Sequence, residues 1–293
     1  MIVSDILTFA LTSTRANNDV TNKVRENILP ILSGPPTEYL EHAEYGPHWL
    51  SCSRAWNAAL NEIALEKDIT YTNTRINLKG GRTFNYDADL LYYNGNELID
   101  TVKIEFKKGG NSIVKLPQFL SLQVKYGLFP ETYDKFYYDR YIDAYIACDA
   151  SITEPKPELE LYMKYVANIN YGISPFFSQL KAREPFFKKE KFRIVNESIT
   201  DYLNKYAAQL DLFSFNKKIR NTQTDKIYML WSNDRFYIDM FKETDMTDMS
   251  IHSIKNGNVI EVKSGNVMYN LLLRWRNHKG ILNPAWQISK KTV

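Results

Sequence analysis

Two cysteines in 293 residues, Cys52 and Cys148, are too few for a disulfide framework, and they have no metal-ligand spacing. Both sit in apolar stretches, so their expected role is packing, in a reducing intracellular compartment, cytoplasmic or nuclear. The four histidines, His42, His48, His252 and His278, form no paired ligand motif, which argues against a zinc site. No apolar run approaches the roughly 20 residues needed to cross a bilayer, so no membrane partner is expected. Residues 1–11 lack a basic leading segment and a small-residue cleavage site, and are not read as a signal peptide. Repeats and low-complexity tracts are absent as well. What remains has ordinary globular composition, 44% apolar and 24% charged, and is long enough for one large domain or two smaller ones.

Against that background two segments carry chemistry. Residues 83–93 read Thr-Phe-Asn-Tyr-Asp-Ala-Asp-Leu-Leu-Tyr-Tyr, and residues 101–108 read Thr-Val-Lys-Ile-Glu-Phe-Lys-Lys. Both suit strands, and Asn94-Gly95-Asn96 between them is a strong hairpin signal. Strand alternation sends Glu105 and Lys107 to one face, while Val102, Ile104 and Phe106 go to the other. An antiparallel hairpin then sets Asp89 beside them. Two carboxylates and an ammonium sharing a small patch can hold a hard divalent cation next to a polarised water. The plainer alternative is a cross-strand ion pair on a solvated face, worth a few tenths of a kcal/mol.

An Asp opening one strand followed by Glu-x-Lys on the next resembles the signature of the PD-(D/E)XK nuclease superfamily, the restriction-endonuclease-like fold. That resemblance implies Asp89 and Glu105 as metal carboxylates, with the Phe106 carbonyl as a further ligand. Lys107 would orient or activate water, and the ion would be Mg²⁺, with Mn²⁺ able to substitute. Ala88 stands where the family usually has proline. Asp87 lies on the same face as Asp89 and is the alternative ligand; Asp89 is favoured because the apolar run Leu90–Tyr93 follows it. The surrounding elements are read in the family's order, αβββαβ. A helix is expected over 49–67, a first strand over 69–78, the two motif strands, a helix over 115–127 and a buried strand over 141–147. The resemblance further points to Glu62 of the first helix as an added ligand, and to Gln123 of the second as a contact to substrate backbone.

The chain contains a second Glu-x-Lys, Glu261-Val-Lys263 after Asn256-Gly257, with Asp239 upstream. No helix and buried strand follow it, so it is read as a structural hairpin and as the internal rival of the first. Beyond Glu261 the chain has no acid, but it carries Lys263, Arg274, Arg276, Lys279, Lys290 and Lys291 interleaved with Tyr269, Trp275 and Trp286. Cations neutralise phosphates and exposed aromatics stack on bases, so Arg274, Arg276 and Lys279 are read as nucleic-acid contacts. The alternative is a solvated basic face whose tryptophans belong to the core. A second basic stretch, residues 181–193, surrounds Phe186-Phe187. A helix is expected over 268–277.

The expected architecture is therefore α/β. A restriction-endonuclease-like core over residues 46–150, a mixed central sheet flanked by helices, follows a helical segment over 1–45. An α+β extension over 151–293 would grip nucleic acid. The implied function is a Mg²⁺-dependent endonuclease on DNA, of restriction type and possible as a homodimer. The alternatives are a non-catalytic nucleic-acid-binding module and an RNA endonuclease on the same fold.

Overall fold

The computed structural model describes residues 2–11, 18–79, 84–167, 174–278 and 281–293, with the backbone alone at 18–19, 276–278 and 281–283. The protein is mixed α/β, with two five-stranded sheets flanked by helices. It divides into two compact units, each built from two stretches of chain: residues 1–116 with 219–243, and residues 117–218 with 244–293. The sequence-based boundaries at 45/46 and 150/151 fall inside these units.

In the first unit, helices α1 (Asn18–Leu32), α2 (Thr37–Leu40) and α3 (Gly46–Glu66) precede strands β1 (Asn73–Leu78), β2 (Ala88–Asn94) and β3 (Glu97–Lys108). The second unit follows with β4 (Leu120–Gln123) and helices α4 (Tyr133–Arg140), α5 (Ile142–Ile146), α6 (Leu159–Ala167), α7 (Pro175–Arg183) and α8 (Lys188–Tyr206). Helix α9 (Leu212–Gln223) spans the division and leads back to β5 (Ile227–Ser232) and β6 (Arg235–Asp239) of the first unit. Strands β7 (Ser250–Lys255), β8 (Val259–Ser264), β9 (Val267–His278) and β10 (Ile281–Thr292) complete the second.

The first sheet has the order β1-β2-β3-β5-β6; all its pairings are antiparallel except β3 with β5, which is parallel. The hairpin at Gly95 forms as expected, with that glycine at φ 59°, a left-handed turn conformation that costs it little. Alternation then divides the sheet. Ala88, Leu90, Tyr92, Val102, Ile104 and Phe106 join Trp49, Trp56, Leu60 and Ile63 of α3 in one buried cluster. Two specific contacts fix α3 there: the Tyr92 hydroxyl donates to the Leu60 carbonyl at 2.8 Å, and Trp56 meets Phe236 edge-on at 5.1 Å.

The second sheet has the order β4-β10-β9-β8-β7, antiparallel throughout. Three expectations fail in this unit. Residues 115–127 do not form one α-helix: Leu120–Gln123 is strand β4, paired with β10, and Val124–Tyr126 is a single 3-10 turn. Residues 141–147 do not form a strand, since Tyr133, Phe136, Tyr137, Tyr141 and Tyr145 share one helical stripe through α4 and α5. Residues 268–277 lie in β9, which pairs along its length with β10 and also with β8. The tryptophans are structural: Trp286 is 1% exposed and stacks on Phe129 at 5.1 Å, while the Trp275 indole donates to the Tyr133 hydroxyl at 2.8 Å. Trp286→Ala should therefore cost about 3–5 kcal/mol in urea unfolding. A loss below about 0.5 kcal/mol, usual for a surface position, would contradict its place in the core.

Candidate active site

The polar face of the first sheet is assembled by β2, β3 and the start of β5. The β2–β3 register pairs Asp89 with Lys103 and ends with Ala88 opposite Ile104; Asp87 lies just before β2 and bonds to the next residues of β3. The Asp87 backbone N–H donates to the Ile104 carbonyl at 2.8 Å, and its Oδ2 accepts the Phe106 N–H at 2.9 Å. Glu105 is nearly buried, at 8% exposure. Its Oε1 meets Lys107 Nζ at 2.5 Å and its Oε2 meets Lys226 Nζ at 2.9 Å. Lys226 precedes β5, is itself buried, and also donates to the Asn85 carbonyl. In β5, Tyr228 pairs with Glu105, and its hydroxyl donates to Gln223.

Burial and charge act against one another here. Desolvation alone drives Glu105 upward, but Lys107 and Lys226 outweigh it and hold the carboxyl below its ordinary value. Burial likewise opposes the Lys107 ammonium, and Glu105 with Asp87 overrides it and raises that lysine. Lys226 is the reverse: desolvation prevails and lowers it despite Glu105. Asp87 is pushed from 3.8 up to about 6, first by burial and then by the negative charge of Glu105. Two carboxylates that resist being ionised together form an oxygen pair with chemistry suited to a hard divalent cation. They are only a pair: among the described residues no group of three His, Cys, Asp or Glu is placed to hold a metal ion.

Asp89 is on the same face but is held elsewhere, by Lys79 at 2.6 Å. Asp87, the alternative, is the carboxylate that feels the negative charge of Glu105. Glu62 is not brought to the site: it is exposed on α3, which packs on the opposite face of the sheet. Helix α1 instead supplies Glu26, whose charge acts on both Asp87 and Lys107 and which also pairs with Lys23. Gln123 ends β4 rather than sitting on a helix, and belongs to the second unit. Arg274 is half-buried and its Nη1 donates to Gln287 at 2.6 Å, while the Arg276 side chain and Lys279 lie outside the described residues. The rival triad is divided between sheets: Asp239, in β6, accepts the Ile113 N–H at 2.6 Å, whereas Glu261, in β8, is paired with Lys255 at 2.6 Å.

Sequence reasoning missed Lys226 and Glu26. The signal for Lys226 was a lone cation at the head of the apolar run Ile227–Trp231, a pattern that suits a buried parallel strand. Glu26 had no comparable mark. Compared with protein-family models the chain matches none, and no curated protein matches it.

The Asp87 shift has a direct consequence for stability. A carboxyl that binds its proton more tightly when folded makes the folded state lose stability as pH rises from about 3.8 to about 6. Asp87→Asn keeps an acceptor for the Phe106 N–H but removes the charge. It should stabilise the protein at pH 7.5 by roughly 1–3 kcal/mol in denaturant titrations, with the gain vanishing near pH 4. A variant less stable than wild type at pH 7.5 would show that the charge is fully compensated.

Proposed function

We propose that this protein is a metal-dependent nuclease of the PD-(D/E)XK, restriction-endonuclease-like kind, hydrolysing phosphodiester bonds of DNA with Mg²⁺, or Mn²⁺ in its place. The observation that carries the reading is Asp87 facing Glu105-Phe-Lys107 across adjacent strands, on the face of a mixed sheet opposite the core. The element order supports it. If residues 117–218 are taken as an insertion, α3, β1, β2 and β3 are followed by α9 and by β5 parallel to β3, which yields αβββαβ.

Asp87 and Glu105 would hold the ion, with the Phe106 carbonyl as a further oxygen. Bound there, Mg²⁺ supplies polarisation of the phosphodiester and a water of lowered pKa. The residues of the chain prepare that chemistry. Lys226 holds the inner oxygen of Glu105 and fixes the orientation of its carboxylate. Lys107, with about a third of its side chain accessible, would orient a water and stabilise charge on phosphoryl oxygens. Asp87 is ionised above about pH 6 and carries its negative charge toward the cation rather than toward a proton.

A second reading, a nucleic-acid-binding module that does not cleave, is favoured by one feature: both Glu105 oxygens are already engaged by lysines. Cleavage assays on circular DNA, linear DNA and RNA, with Mg²⁺ or with EDTA, separate the two. Asp87→Ala, Glu105→Ala and Lys107→Ala should each lower Mg²⁺-dependent cleavage at least 100-fold, a typical loss when an electrostatic catalytic group is removed, while Asp89→Ala retains most of it. Wild type that binds DNA but cleaves neither nucleic acid would establish the second reading. Loss of activity in Asp89→Ala but not Asp87→Ala would overturn the assignment of the carboxylate.

A further inference from the structure

The second unit carries a groove of about 620 Å³ between α4 and α8, lined by Phe136, Arg140, Tyr141, Asp201, Asn204 and Lys205. That volume is within the range of small-molecule sites, about 300–1,000 Å³. Its floor is aromatic and its rim is cationic. The Arg140 guanidinium lies 4.8 Å and the Lys205 ammonium 6.0 Å from the centroid of the Phe136 ring, with Lys205 also 4.6 Å from that of Tyr206. Such contacts hold cations in place while leaving their N–H groups to solvent.

These two cations are spare. Among the described residues neither has a carboxylate at ion-pair distance, although acids are close in the chain. Asp139 is bound to Lys135, Asp143 to Lys156 and Glu197 to Arg193. Asp201, one helical turn before Lys205 and its natural partner, instead accepts the Tyr141 hydroxyl on Oδ2. Asp201 and Asn204 also line the groove. Two free cations call for an anion of more than one negative oxygen, and a carboxylate with an amide calls for N–H donors. A ring edged with N–H groups and bearing a phosphate satisfies both.

We propose that this groove is a nucleotide-binding site. Arg140 and Lys205 take the phosphate, the Tyr141 ring carries the base, and Asp201 with Asn204 meets its N–H edge. The site is independent of the cleavage reading, since its residues belong to the second unit and require no metal ion. The same chemistry is offered by a free nucleotide or by an unpaired nucleotide within a nucleic-acid chain.

The test is calorimetric titration of the full chain in EDTA, which keeps hydrolysis out of the measurement. The probes are AMP, GMP, CMP, ribose 5-phosphate and a single-stranded tetranucleotide. Saturable binding is expected for at least one nucleotide or for the tetranucleotide, at least tenfold tighter than for ribose 5-phosphate. Arg140→Ala/Lys205→Ala should weaken it tenfold or more with an unchanged melting transition, since both side chains are exposed. Mononucleotide binding identifies the free ligand as the source; binding of the tetranucleotide alone identifies nucleic acid. No saturation by any base-bearing probe, equal binding of ribose 5-phosphate, or undiminished binding by a folded double variant would overturn the proposal.

Discussion

Glu105 has been taken out of water in the middle of a sheet, and the polar face of the first unit is organised around keeping it charged. An ionised carboxylate removed from solvent carries a penalty of several kcal/mol, recovered only when partners with good geometry reach it. Two do, from different strands: Lys107 from β3 itself and Lys226 at the head of β5. The network ties the parallel β3–β5 pairing to the β2–β3 hairpin, because Asp87 joins through the Phe106 N–H. Removing Glu105 or Lys226 leaves a buried partner uncompensated, a loss of about 3–5 kcal/mol, whereas Asp87, next to another carboxylate, is not stabilised in this way. Structure and candidate chemistry thus draw on the same charges.

One irregular residue determines which face the two aspartates take. The hairpin begins with Asn94 opposite Glu97 and Tyr93 opposite Leu98, but after that Tyr92 faces Asp100, so Ile99 is an extra residue in β3. Without that bulge, counting down the strands would set Ala88 opposite Lys103 and Asp89 opposite Val102. The bulge advances the register by one and turns Asp87 and Asp89 onto the face of Glu105 and Lys107. Alternation and the Asn-Gly turn made the hairpin legible in the sequence, along with the faces of β3. A bulge has no such mark, and Asp87 and Asp89 share a face in either register; what separates them is the pairing of Asp89 with Lys79 and of Asp87 with the Phe106 N–H.

The rest of the candidate core was obscured by topology. A helix and a strand were sought directly after β3, whereas residues 117–218 belong to another unit and the next strand of the sheet is β5. Sequence order does not report such an interruption, and residues 141–147, which include α5, were read as a strand because they favour strands by type. The C-terminal tryptophans show the same limit. Aromatics among cations suit both a core and a stacking surface; Trp286 is buried against Phe129, and the half-buried Trp275 packs on Tyr133. Many cations of the second unit are likewise matched to acids, Lys290 with Asp245 and Lys191 with Glu184 among them. Arg140 and Lys205 stand out only once that pairing is known.

The central claim is that Asp87 and Glu105, rather than Asp89, form the oxygen pair for a divalent ion. Anomalous diffraction from crystals soaked in Mn²⁺ tests it most directly. A peak is expected at roughly 2.0–2.6 Å from oxygens of both Asp87 and Glu105, with one lysine displaced from Glu105. A peak at Asp89 beside Lys79, or no peak with both lysines still seated on Glu105, would contradict it.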